Sequence, residues 1–183
     1  MASVPLESLD WLDDDVTQAI VREIGAYDPQ PAVVLAHALV EEQVRRLVVR
    51  STVPDRGPGS PRSESFLSLC WWAQRLGLID AKLRIELLTF ARIRDAFAHA
   101  ASHTLDFESP EVASLIDELS SLNSVFVAFQ KKPPDAPGPK IEDLYVALSS
   151  KRSWWLGSFG AILLMLRTKA SAARAPNPPD PSW

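Results

Sequence analysis

The residues of this chain best placed to do chemistry lie within one short stretch, "RIRDAFAHAASH", residues 92–103. They are Arg92, Arg94, Asp95, His99 and His103. Arginine presents a planar fork of donors that matches a phosphate or a carboxylate. An unperturbed histidine titrates near ~6.5, which suits it to take a hydroxyl proton and return one to a leaving oxygen. Together these side chains could bind a phosphate or cleave a phosphodiester without a metal. The same types also arise as charges satisfied by helix packing.

On an ideal helix of about 100° per residue, Arg92, Asp95, His99 and His103 share one face. Arg92, Asp95 and His103 are read there as candidate binding residues. Leu83, Leu87, Phe90, Phe97 and Ala98 share the opposite, apolar face. Arg94 falls in the middle of that apolar face. A buried guanidinium needs a carboxylate partner. The candidates are Glu41 and Glu42 in "HALVEEQVRR". Arg94 is therefore expected to form a structural ion pair with one of them. Arg94→Ala is expected to destabilise the protein by leaving a buried carboxylate unpaired. Alternatively, Arg94 faces a cleft or a dimer interface and holds a phosphate.

Arg94 and His99 lie roughly 140° apart on such a helix. Aiming both at one phosphate requires the helix to end before His99, or a second subunit to complete the site. His99 and His103 stand one turn apart, a spacing that can ligate a metal. No acidic residue lies between them and no cysteine is near, so no metal and no cofactor are expected. His37 precedes Glu41 by one turn, which reads most simply as a structural hydrogen bond. Glu41/Arg45 and Glu42/Arg46 read as ordinary surface pairs one turn apart.

The elements that carry these residues are set off by proline and glycine. "YDPQP" (27–31), "PDRGPGSPR" (54–62) and "KKPPDAPGPK" (131–140) are breaks, and "APNPPDPSW" (175–183) reads as a disordered tail. Between them the pattern is helical. Residues 6–26 carry Leu9, Leu12, Val16, Ile20 and Ile24 at helical spacing. Residues 31–52, 64–77 and 80–101 follow, with Gly77 as a stop and Asp80 as an N-cap. A fifth helix spans 109–130, with Ser109 as cap, Pro110 in the first turn and Glu111 beside it. A long last helix spans 140–173. No segment alternates as a strand does. The fold expected is all-α: a single-domain bundle of about five to six helices over residues 1–174.

The chain has 183 residues and 46% hydrophobic content, enough for a substantial core. The net charge of −4 argues against coating DNA by charge alone. No segment reads as a helix-turn-helix, so direct DNA binding is not expected. Acids crowd residues 1–30 and bases crowd 140–175, so the two ends could pair within a chain or between subunits. The single cysteine, Cys70, permits no internal disulfide and reads as a small buried hydrophobe in a cytoplasmic protein. "WWLGSFGAILLML" is short of the ~20 residues that span a bilayer, so a buried helix is expected and a membrane is not. The first residues show no signal-peptide pattern. Trp71/Trp72 and Trp154/Trp155 read as apolar anchors of a core or a subunit interface.

The order "LAHALVEEQVRRLV", "LGLID", "RIRDAFAH", "LDFESPEV", "KKPPDAPGPK" and "DLYVAL" resembles the mannitol operon repressor family over most of the chain. That resemblance implies an all-helical bacterial regulatory protein, a homodimer, acting through a protein partner or a small ligand. Arg94, Asp95 and His99 also resemble the R-x4-H motif of HEPN-type helical domains. This second resemblance implies metal-independent RNA cleavage at a dimer interface, as in a toxin or defence component. Arg94 would neutralise the scissile phosphate and His99 would act as general base or acid. Asp95 stands where that group often has asparagine. A purely structural interaction module is the third reading.

Overall fold

The computed structural model describes residues 15–52, 64–100, 105–123 and 148–173. Among them are six helices and no strand, and they form one all-α domain. The helices are α1 (Asp15–Ala26), α2 (Pro29–Arg50), α3 (Phe66–Arg75), α4 (Ala81–His99), α5 (Pro110–Asp117) and α6 (Lys151–Ala172). The expected helix starts at 6–14, the segments 124–147 and the tail lie outside the described residues.

The local chemistry explains the boundaries. Pro29 and Pro31 preset the first turn of α2, where a missing N–H costs nothing. Ser65 caps α3, its hydroxyl accepting from the Ser68 N–H. Gly77 ends α3 with φ +69°, a left-handed conformation that glycine takes without a Cβ clash. The Leu78 N–H then donates back to the Ala73 carbonyl at 2.9 Å. Asp80 caps α4 by accepting from the Leu83 N–H at 2.7 Å.

Three boundaries differ from expectation. α5 stops at Asp117 and a further helical stretch starts at Ser121, so 109–130 is not continuous. Serines 120 and 121, good helix-start residues, fall at that break. Ser109 forms no cap bond; its hydroxyl donates to Asp106 at 2.9 Å instead. The last helix starts at Lys151, because Ser150 and Ser153 form a reciprocal capping box there.

α2 packs against α1, α3, α4 and α6, and α6 also touches α1 and α5. Trp155, Phe159, Ile162 and Leu166 are fully buried on it. The apolar run is thus a core helix. No helix among the described residues is long and apolar enough to cross a membrane. Gly157 lets α6 pass close to its neighbours: a Cβ there would sit 3.0 Å from Leu122 Cδ1 and from Leu148 Cδ2. On α1 the buried stripe is Thr17, Val21 and Ile24, while Val16 is exposed. Bases of α6 reach α1 through polar groups: Arg152 donates to the Gly25 and Tyr27 carbonyls, and Arg167 to the Thr17 hydroxyl.

Trp155 anchors an aromatic cluster with Phe90 (5.6 Å between centroids), Phe107 (4.9 Å) and Phe159 (6.2 Å). Trp154 and Trp72 are partly buried. Trp71 is half-exposed beneath the Arg75 guanidinium, 4.9 Å away. Cys70 is buried, as expected, and burial pushes its thiol up to about 12. It is an inert core residue at neutral pH.

Candidate functional site

α4 is covered on two sides, which decides where its polar residues point. α2 and α3 pack on one side and α5 on the other. Leu83, Leu87, Phe90, Ile93 and Phe97 are buried between them. The buried face also takes in Glu86 and Thr89, so its centre lies nearer Ile93 than the apolar residues alone predict. Past Ile93 the cover thins: Arg94 is only partly buried and Ala98 is exposed, although Leu87 and Ala91 on the same side are buried one and two turns earlier.

α5 runs back alongside α4 and is tied to its middle. Glu118 accepts from Thr89 Oγ1 at 3.2 Å and from Arg92 Nη1 at 2.8 Å. Ser120 donates to Glu86 Oε1. Glu86 is 3% exposed, and its Oε2 is buried without a partner. Toward the C-terminus of α4 the two helices part. The turn that starts α5 is held by Phe107, which is buried against Phe97 and Trp155. Asp106 organises that turn, accepting from the Glu108 N–H at 3.1 Å and from the Ser109 hydroxyl.

The parted helices enclose a cleft of about 690 Å³. α4 contributes Arg92, Asp95, Ala96 and His99, with Ala100 just beyond its end; Leu105, Ser109, Glu111 and Leu115 form the facing wall. The sequence-predicted face is therefore real for Arg92, Asp95 and His99. His103 lies outside the described residues. Ala96, Ala100, Leu105 and Leu115 make an apolar lining, and the polar groups stand around it. Arg92 is committed to Glu118 and Asp95 to Arg94. His99 and Glu111 make no hydrogen bond or ion pair among the described residues. The four facing-wall residues come from the turn and helix that follow α4, and only the helix-start pattern around Ser109 and Glu111 marks any of them in the sequence.

Arg94 does not line the cleft. Nor does it pair with Glu41 or Glu42, as expected from the sequence. Its Nη1 lies 2.7 Å from the neighbouring Asp95, and the two side chains are 36% and 50% exposed. Glu41 and Glu42 pair with Arg45 and Arg46, each at 2.7 Å, as the one-turn spacing predicted. The physical reason is that the cover over this side of α4 thins past Ala91, which leaves Arg94 about one-third exposed, where a neighbouring carboxylate suffices.

Arg94 instead lies on the α2 side, where its charge reaches His37. His37 is 4% exposed and stands edge-on to Phe66 at 4.7 Å. Its Nε2 is buried without a partner, so the expected hydrogen bond to Glu41 is not made. Burial holds its pKa below the usual histidine range and the Arg94 cation adds to that; Glu41 and Asp95 act in the opposite direction.

The described residues contain no cluster of three histidine, cysteine or acidic side chains able to hold a metal ion. Within one chain, Arg94 and His99 do not converge on a common point: His99 opens into the cleft and Arg94 stands outside it. What the cleft offers is a lining of mixed polarity, with an imidazole and a carboxylate that have no partner among the described residues. No protein-family model, curated protein or solved structure matches this chain.

Proposed function

We propose that this chain is a regulatory protein of the mannitol operon repressor type that works by taking a ligand into the cleft between α4 and α5. The observation that carries this reading is the cleft itself: about 690 Å³, with polar and apolar residues in its lining, and with His99 and Glu111 making no hydrogen bond or ion pair among the described residues. Such a volume falls within the range of small-molecule sites. The molecule reads as cytoplasmic and dimeric, with ligand occupancy passed on to a protein partner. The ribonuclease alternative draws less support from the same geometry. Glu111 would repel a phosphate, and Arg94 is not among the cleft's lining residues.

A thermal-shift panel of small metabolites tests the proposal, run on wild type and on Ala100→Trp, which fills the cleft from a position beyond the end of α4. A ligand that raises the melting temperature of wild type only is the expected result. Stabilisers that act equally on both proteins would place binding elsewhere and remove the cleft from the account. Mixed cellular RNA, incubated with chelator and with wild type or His99→Ala, is expected to stay intact. Cleavage by wild type that is lost in His99→Ala would replace the regulator by a ribonuclease.

A further inference from the structure

We infer that the ligand of the α4–α5 cleft is a small alkylamine, bound as its ammonium ion. The inference rests on the cleft being the ligand site. It adds the charge and shape of what enters.

The charges around the cleft do not cancel. The Arg92 cation is matched by Glu118 at 2.8 Å, and the Asp95 carboxylate by Arg94 at 2.7 Å. Glu111 has no counterpart among the described residues, so the described lining carries one uncompensated negative charge. The helix ends do not reverse this. α4 brings its C-terminal, negative end to the cleft at Ala100, and α5 brings its N-terminal, positive end at Ser109. These partial charges are of roughly half a unit each and opposite sign. An anion would meet Glu111 and Asp95 without an uncommitted arginine or lysine among the described lining residues. An ammonium ion would meet the unmatched Glu111 carboxylate.

The shape agrees. Ala96, Ala100, Leu105 and Leu115 offer apolar surface to a short hydrocarbon, and small residues on the α4 side leave room for it. His99 can accept a hydrogen bond through a neutral ring nitrogen, as an amine donor requires.

The test is an amide-shift titration of the isotope-labelled full chain with 1,4-diaminobutane, with its neutral analogue 1,4-butanediol and with inorganic phosphate. Saturable shifts at Asp95, Ala96, His99 and Glu111 with the diamine only are expected. Glu111→Gln should weaken the diamine at least about fivefold without unfolding the protein, since Glu111 is exposed and bonds to nothing described. A second arm uses Nα-acetyl-lysine methylamide. If it binds more tightly than the diamine, the amine belongs to a partner's lysine rather than to a free metabolite, and the small-molecule assignment is overturned. Cleft shifts with the diol or phosphate and none with the diamine would overturn the charge assignment while the cleft stands. No cleft shift with any probe would also overturn it, and the cleft then stands or falls on the Ala100→Trp comparison.

Discussion

Replacing Arg94 with alanine separates two accounts of the seam between α2 and α4. If Arg94 were a buried staple, its loss would strand a carboxylate in the core and cost about 3–5 kcal/mol. The structure gives a different figure. Arg94 pairs with the adjacent Asp95 and both side chains are one-third to one-half exposed. Screening by solvent limits such a pair to about 0–1 kcal/mol. The effect of Arg94→Ala at pH 7.5 should therefore be under ~1 kcal/mol.

The same substitution has a signature at lower pH. His37 is held neutral by burial first and by the Arg94 cation second. A histidine in the unfolded chain takes a proton near pH ~6.5. Folded His37, with its lowered pKa, resists protonation. The unfolded state then binds more protons, so stability is fully present above about pH 6.5 and falls as the pH drops below it. The loss is at most about 1.4 kcal/mol per pH unit and ends once the folded pKa is passed. Arg94→Ala removes one cause of the lowering and leaves the Asp95 carboxylate free to favour the imidazolium. The variant's folded pKa moves up, and its acid-induced loss becomes smaller. Urea unfolding of both proteins at pH 7.5 and 5.5 reads this directly. A loss above about 3 kcal/mol at pH 7.5 would restore the buried staple. An acid-induced loss as large in Arg94→Ala as in wild type would show that Arg94 does not act on His37.

Two further outcomes concern stability alone. Trp155→Ala removes a fully buried indole stacked among Phe90, Phe107 and Phe159, and should cost about 3–5 kcal/mol in a denaturant melt. A cost below about 1 kcal/mol would mean that the aromatic cluster does not hold the bundle. Asp80→Ala removes the cap on α4 and should cost about 0.5–2 kcal/mol, with Asp80→Asn retaining most of it; equal losses in the two variants would argue against the cap bond.

Local chemistry was the legible part of this chain. Asp80, Gly77 and the prolines of α2 act through their own backbone neighbours, so their roles follow from type and position. The shared face of Arg92, Asp95 and His99 follows from helical spacing, which is equally local. Arg94 was misplaced for a reason of the opposite kind. A helical wheel finds the apolar side by averaging its residues, but burial is decided by what packs there. Glu86 and Thr89 are met by Ser120 and Glu118, which come from the break just after α5. Nothing in α4 alone announces those partners. The cleft is hidden for the same reason, since Leu105, Glu111 and Leu115 face α4 only after the chain reverses at Phe107. The break after Asp117 had a faint signal in the paired serines 120 and 121.

The fastening of α5 also bears on how quickly anything could enter. One end of the helix is bolted to α4 through Glu118, and the turn before its other end is pinned by the Phe107 ring. A mouth fixed at both ends is shaped before its guest arrives, so little ordering entropy is lost on capture. Association then has no slow closing step to wait for, and differences in affinity among related guests would be expressed in how long each one stays.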